Sequence, residues 1–402
     1  MKIILYIATG LPGLTYTFID REIRILAAAG YNIRVVSRET PPKEDISEEN
    51  LEYYNNILYL DQISMIRLLF AQVLVLISMP LNWFKNILLI LKEKEVKNRR
   101  DRMRLFKHFM EAGYAYTQLK DERISHIHAH FLISPTSIAL FLSRYLNIPF
   151  SFTMHASNIF IDPLMLGTKL SLCKKAVTIS KYNKNYLLNK YGDDFNDKIH
   201  VIHCGINPEL FTPLGGEKSG PPVVLSVGRV VEMKGFHILL DACKRLKDNG
   251  ALFSCLIVGE GEAKDALMRK SAALGIEDVV NFLGAQKQDR VRQLLQEASI
   301  FVLPSIVAED GKRDGIPVSL MEAMAMELPV VSTQLVGIPE LIEHMKEGLL
   351  VEQKNPDDLS FAIETLLKDG EARKEMGRQA RLKVMREFNI HHVPQQFHVI
   401  FN

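Results

Sequence analysis

The reading of this chain turns on Asp314-Gly315-Ile316-Pro317-Val318-Ser319-Leu320-Met321-Glu322, followed by Ala323-Met324-Ala325-Met326-Glu327-Leu328-Pro329-Val330-Val331-Ser332. It reads as a loop acid and a glycine, then Pro317 at the first turn of a predicted helix carrying Leu320, Met321, Ala323 and Met324. A proline is tolerated there because the N–H it lacks would be unpaired at a helix start. Pro329 ends the segment and opens a short strand, Val330-Val331-Ser332. The unpaired N–H groups of such a helix start, together with the helix dipole, form a natural seat for phosphate. That makes the backbone around Ile316, Pro317 and Val318 a candidate anion site. Glu322, on the second turn, is within reach of a hydroxyl on a bound ligand. The alternative is an amphipathic helix whose Glu322 is merely solvated.

About eighty residues upstream stands Val227-Gly228-Arg229-Val230-Val231-Glu232-Met233-Lys234-Gly235, at the end of the apolar run Val223-Val224-Leu225. The combination is Arg, four residues, Lys after a strand, then Asp, seven residues, Glu. It resembles the retaining glycosyltransferases of family 4, of the bacterial exopolysaccharide and colanic-acid type, and the resemblance covers essentially the whole chain. It implies an α/β fold called GT-B, two Rossmann-like doubly wound domains facing each other across a cleft. It also implies that Arg229 and Lys234 hold the diphosphate of a nucleotide sugar, while Asp314 and Glu322 frame sugar and ribose. The family usually has Glu at the first acidic place; this chain has the shorter Asp314.

At 402 residues, with 47% hydrophobic and 24% charged residues, the chain is long enough for two domains with their own cores. Its net charge is only +2 but is unevenly spread. Residues 1–212 hold 26 Lys/Arg against 20 Asp/Glu, and the remainder 23 against 27. A basic front half suits an anionic acceptor or membrane surface, or is ordinary surface scatter. The balance gives no reason to expect nucleic acid. The four cysteines, Cys173, Cys204, Cys243 and Cys255, form no Cys-x-x-Cys pair, so free thiols in a reducing cytosol are expected. The apolar opening Met1–Ala8 is too short for a signal peptide and reads as a strand.

That strand (2–8) leads through Thr9-Gly10-Leu11-Pro12-Gly13 into a helix over Thr17–Leu26 and a strand at Ile33–Ser37. Strand, glycine-bearing loop, helix, strand is the βαβ unit of a doubly wound sheet. The loop lacks a full Gly-x-Gly-x-x-Gly; the resemblance places Gly13 opposite the donor diphosphate, and a plain tight turn is the alternative. Residues 63–91 form an apolar stretch in which 17 uncharged residues separate Arg67 from Lys85, with Pro80 and Trp83 inside. A single membrane span would separate strands of one sheet by a bilayer. The remaining readings are a buried helical hairpin or a helix dipping into a membrane face. Lys92–Lys107 follows with eight Lys/Arg against three acids, so peripheral membrane contact through 63–107 is an expectation, as is a solvated basic helix.

Ile124-Ser125-His126-Ile127-His128-Ala129-His130-Phe131 sets three histidines at period two on one strand face. A metal reading lacks a nearby carboxylate or cysteine in sequence, and none is expected. The run Phe150–Phe160 reads as a strand ending at His155, at the carboxyl edge where open α/β sheets hold ligands. The resemblance points His155 at the donor sugar and the acceptor hydroxyl, whereas Asn158 stands where relatives have Asp. Ser180 reads as a helix cap. Strands at Val223–Val227, 253–258, 279–283 and 300–303 alternate with helices in the second half, and Gly259 and Glu260 fall at a strand end beside which relatives hold the nucleoside.

The domain reading is 1–207, an acceptor-side domain with a helical insertion at 63–120; 208–222, a Pro/Gly-rich linker; and 223–388, the nucleotide-sugar domain. Residues 389–402 form a last helix that the resemblance sends back to the first domain. The expected function is a retaining, metal-independent hexosyltransferase with no cofactor, cytoplasmic, at the membrane face. Its donor is a nucleotide diphosphate sugar and its acceptor a glycan or lipid-linked glycan. A GT-B epimerase or a non-catalytic partner subunit are the alternatives.

Overall fold

Short runs of apolar and β-branched residues, such as Val223–Val227 and Ile300–Leu303, form strands buried on both faces, as parallel sheets require. The computed structural model describes residues 2–12, 17–42, 57–161, 163–213 and 220–402, without the side chains of 156–158. The chain divides into two units, one of 1–205 with 390–402, the other of 206–389. Gly13 and residues 214–219 of the 208–222 stretch lie outside the described residues; Pro208–Leu210 form a short 3-10 turn in the second unit.

The first unit is a parallel seven-stranded sheet of β1 (Ile3–Gly10), β2 (Asn32–Glu39), β3 (Leu58–Tyr59), β4 (Ile124–His130), β5 (Phe150–Met154), β6 (Lys175–Thr178) and β7 (Ile199–Val201). Their order is β3-β2-β1-β4-β5-β6-β7. The two-residue edge strand β3 gives no periodic signal in the sequence and is too short to be read from it. Alternation along β1 divides the core. Leu5 and Ile7 face Phe109, Ala139 and Phe141, in the layer of helices that includes Arg99–Leu119 and Ser134–Leu146. Ile4, Tyr6 and Ala8 face Ile19 and Ile23 of the helix Thr17–Ala28, and Phe397, Ile400 and Phe401 of the terminal helix Val393–Phe401. The Ser180 side chain caps the helix Lys181–Tyr191, accepting from the Asn183 N–H at 3.1 Å.

Between β3 and β4 lie the helices Met65–Ser78 and Pro80–Lys92, bent at 120° to each other. The pair is only half buried. Leu68, Ala71, Gln72 and Val75 of the first and Asn86 and Ile90 of the second turn inward.

The second unit is a parallel six-stranded sheet of β8 (Val223–Val227), β9 (Ser254–Val258), β10 (Val280–Gly284), β11 (Ile300–Leu303), β12 (Val330–Thr333) and β13 (Gly348–Val351), in the order β10-β9-β8-β11-β12-β13. The chain builds outward from β8 in one direction and then from β11 in the other. The strand order therefore reverses between β8 and β11, and ligands of open α/β sheets bind beyond the carboxyl ends at such a point. Ile206 and Asn389 form a parallel bridge, with the Ile206 N–H on the Phe388 carbonyl at 2.9 Å.

Phe397 is fully buried against the β1–β4 face. Phe397→Ala is expected to destabilise the first unit by about 3–5 kcal/mol, the range for deleting a buried phenylalanine side chain. Urea unfolding checks it; a loss below about 1 kcal/mol would mean that the terminal helix is not part of that core.

Candidate active site

In the second unit, the segment after β8 bends through a 3-10 turn at Glu232–Lys234 into Gly235, whose φ of 70° lies in the left-handed region. A Cβ at Gly235 would run into the Pro304 carbonyl oxygen, so glycine there lets the β8 and β11 loops touch. Gly259, after β9, likewise lies against the Gly228 carbonyl. Backbone bonds lace the three neighbouring loops: Gly228 N–H to Val258, Val230 N–H to Glu260 and Ile306 N–H to Met233, all at 2.8–3.0 Å.

On this frame the Lys234 ammonium meets Asp314 Oδ1 at 2.9 Å, with both side chains nearly buried. Ser305 Oγ donates to the other Asp314 oxygen at 2.7 Å. The ammonium has three donors, so one bond to Asp314 leaves others for a ligand. Arg229 is exposed and, among the described residues, makes no side-chain hydrogen bond or ion pair. Its charge is felt at Lys312, which is itself bridged to Asp310. Glu260 is paired with Lys264 at 2.6 Å. The helix Val318–Ala325 begins after Pro317 with no side-chain cap. Ile316 and Pro317 are buried, whereas Val318, Ser319 and Glu322 are half-buried.

The structure thus gathers Arg229, Lys234, Gly259, Glu260, Asp314, Ile316, Pro317 and Val318 at the carboxyl ends of β8, β9 and β11, with Glu322 one turn along the helix. Ser305 and Lys312 were not legible in advance. Ser305 has no motif of its own, and Lys312 lies in a charged loop that gives no periodic signal.

His155 belongs to the first unit, just past the end of β5. His126, His128 and His130 share the β1 face of Ile4 and Tyr6, under Phe397 and Phe401. They form a hydrogen-bonded ladder. Ser151 Oγ bridges His126 Nε2 and His128 Nδ1 at 2.7 Å each, and Thr153 Oγ1 lies 2.9 Å from His128 Nε2. His130 Nδ1 meets His155 Nε2 at 3.2 Å, and His130 Nε2 meets Glu22 Oε1 at 3.0 Å. Tyr6 donates its hydroxyl to the same Glu22 oxygen at 2.9 Å. An ionised Glu22 only accepts, so the network assigns the His130 proton to Nε2. With that proton on Nε2, His130 Nδ1 accepts from His155 Nε2–H, which leaves His155 Nδ1 as an acceptor.

Burial, then the neighbouring His130 charge, holds His155 well below the usual imidazole range. Glu22, His128 and His130 also place ligand atoms within 4.8 Å of one another. All four of those ring nitrogens already have hydrogen-bond partners, so the donor set is spent on the ladder. Glu22 is the member that sequence reasoning missed. The helix Thr17–Ala28 brings it to β4 from more than a hundred residues away.

Comparison with known proteins bears on this arrangement. The profile for Glycosyltransferase Family 4 matches residues 17–210, and that for Glycosyl transferases group 1 matches residues 213–383. Together they take in both sheets except β1, and every residue of the second unit's site named above. Both are glycosyltransferase profiles, each matching just under half of the chain, and the fold is the GT-B fold. The chain is 43% identical over 197 residues to the amylovoran biosynthesis glycosyltransferase AmsK of Erwinia amylovora. That match spans 48% of each chain, so the chain covers about half the length of this curated relative. A glycosyltransferase structure from Rickettsia africae has the same fold at a TM-score of 0.72 and 19% identity, covering 100% of this chain and 98% of that one. The Anabaena HepE structure in complex with UDP does so at 0.72 and 18%, covering 100% and 99%.

The buried histidines make the first unit acid-sensitive. Burial pushes His108 down to about 2 and His126 to about 3, and His128 and His155 well below 6.5. These groups stay neutral when folded and bind protons when unfolded, so stability is full above about pH 6.5 and falls as pH drops below it. Each adds up to roughly 1.4 kcal/mol per pH unit. The denaturation midpoint of the first unit is expected to decline steeply from pH 6.5 to pH 5; a flat midpoint over that interval would contradict the assignment.

Proposed function

We propose that this chain is a retaining, metal-independent glycosyltransferase. It moves a sugar from a nucleotide diphosphate sugar to a glycan or lipid-linked glycan acceptor in polysaccharide biosynthesis. The observation that carries the reading is that Arg229, Lys234 and the uncapped start of Val318–Ala325 all follow β8 and β11, the strands on either side of the strand-order reversal of the second unit. The name of the AmsK relative and the UDP in the HepE structure support it.

The chemistry follows from charge. As the bond between the anomeric carbon and the β-phosphate oxygen breaks, negative charge builds on the leaving nucleoside diphosphate. Fixed cations and N–H dipoles stabilise that charge without reorganising. Arg229 supplies a planar two-point fork and Lys234 a compact ammonium held in place by Asp314. The amides at the helix start add their dipoles, which lets protein groups take the role that a divalent metal has elsewhere. Glu322 orients ribose or sugar hydroxyls, and Gly259 and Glu260 lie beside the nucleoside. Asp314 contacts the donor sugar through its remaining acceptor capacity, and His155 hydrogen-bonds donor sugar or acceptor. The acceptor hydroxyl attacks on the face from which the diphosphate leaves, passing its proton to the departing oxygen, so the anomeric configuration is retained. Cys173, Cys204, Cys243 and Cys255 are free, which supports a cytoplasmic location.

The test is nucleoside diphosphate release from a panel of UDP- and GDP-sugars, with a lipid-linked oligosaccharide acceptor and with EDTA present. The wild type is expected to turn over one donor and give a product of the donor's anomeric configuration. Arg229→Ala is expected to lose at least about 100-fold in rate with an unchanged unfolding midpoint. Wild-type turnover by Arg229→Ala would sink the reading.

A further inference from the structure

The helix pair Met65–Ser78 and Pro80–Lys92 is built inside out. Its inward side carries Gln72, Asn82 and Asn86 among the apolar Leu68, Ala71, Val75 and Ile90. Gln72, 7% exposed, donates from Nε2 to the Met110 carbonyl at 3.2 Å, and its Oε1 accepts from Trp83 Nε1 at 3.2 Å. Asn82 donates to the Arg144 carbonyl at 2.5 Å, and the fully buried Asn86 to the Phe141 carbonyl at 3.3 Å. Gly113, on the facing helix, leaves the space that the Gln72 amide fills. The outward side is apolar: Ile66, Phe70 and Ile77 on the first helix and Leu81, Phe84 and Leu91 on the second are 54–79% exposed. Burying each such side chain stabilises by about 1.5–3 kcal/mol, so a face of this size left in water marks a docking surface.

Charge decides what docks there. Between residues 62 and 99 the acids are Glu93, which is buried and accepts from Thr168 Oγ1 at 2.7 Å, and Glu95, which is exposed and accepts from the Gly167 N–H at 3.3 Å. Arg67, Lys85, Lys92, Lys94, Lys97 and Arg99 are all exposed on or just beyond the pair. An apolar face fringed by six exposed cations and one exposed acid, Glu95, matches an anionic bilayer. Topology fixes how the pair lies. β3 precedes it and β4 follows it in one sheet, so the chain enters and leaves on the same side. The helices have 14 and 13 residues, about 20 Å each at 1.5 Å per residue, against a hydrocarbon core of about 30 Å. Among the described residues no single helix is long and apolar enough to cross a membrane.

We propose that the outward face of this helix pair seats the first unit on an anionic lipid bilayer. The apolar side chains enter the headgroup–acyl boundary and the cations meet the headgroups. The surface shares no residue with the proposed donor site, and its test does not depend on catalysis. The full-length protein is floated with vesicles of pure phosphatidylcholine, or of phosphatidylcholine with 30 mol% phosphatidylglycerol, at low and high salt. The wild type is expected to rise with the phosphatidylglycerol vesicles, at least tenfold more than with phosphatidylcholine alone, and less at high salt. The triple variant Phe70→Ser, Ile77→Ser, Phe84→Ser alters only exposed positions; it is expected to stay at the bottom with an unchanged circular dichroism spectrum. Lys92→Glu with Lys94→Glu is expected to lose the preference for phosphatidylglycerol. Wild-type protein that stays at the bottom with both vesicles overturns the proposal. So does protein that forms a dimer in solution which the triple variant abolishes, since a second copy would then cover the face.

Discussion

The ion pair between Lys234 and Asp314 is the constraint around which the second unit's site is built. It joins two loops that leave the sheet from adjacent strands, β8 and β11, at the point where strand order reverses. A nearly buried ammonium needs a partner, and Asp314 with Ser305 behind it provides one. The close approach that permits the pair depends on Gly235, where any side chain would strike the Pro304 carbonyl. Once those loops are fixed, the backbone at Arg229 and the start of Val318–Ala325 is held beside them. Charge, backbone dipole and strand order thus converge by geometry that the sheet imposes.

The first unit solves a different problem with the same sheet type. A strand face that would ordinarily be aliphatic carries three histidines, and Ser151, Thr153, Glu22 and His155 satisfy five of their six ring nitrogens, leaving only His126 Nδ1 buried without a partner. The terminal helix closes over them with Phe397 and Phe401, tying the end of the chain to its beginning. One consequence is a continuous hydrogen-bonded chain from Glu22 through His130 to His155. Another is that the polar groups of the helix pair 65–92 could be turned inward too, where backbone carbonyls of neighbouring helices receive them.

Much of this was legible in the sequence because the signals are local. The alternation of apolar runs with helical periodicity announced two doubly wound sheets, and family profiles and solved structures agree with that fold. The Arg229, Lys234, Asp314 and Glu322 spacing pointed to one sheet edge, since each follows a readable strand. What the sequence could not disclose was pairing. Lys234 and Asp314 stand 80 residues apart, and nothing in either motif says that they touch. Glu22 and His130 are 108 apart. The hairpin 63–91 read as either buried or membrane-facing because its composition is apolar throughout. Only the burial of Gln72 and Asn86 shows which side faces the core.

The central claim is that a nucleoside diphosphate is held at the β8–β11 reversal by Lys234 and its neighbours. Calorimetric titration of UDP and GDP into the full chain and into Lys234→Met tests it most directly. One charge-assisted hydrogen bond contributes about 1.5–3 kcal/mol, so the account predicts saturable binding by wild type and at least roughly tenfold weaker binding by the variant. Equal affinity in the two proteins would contradict it.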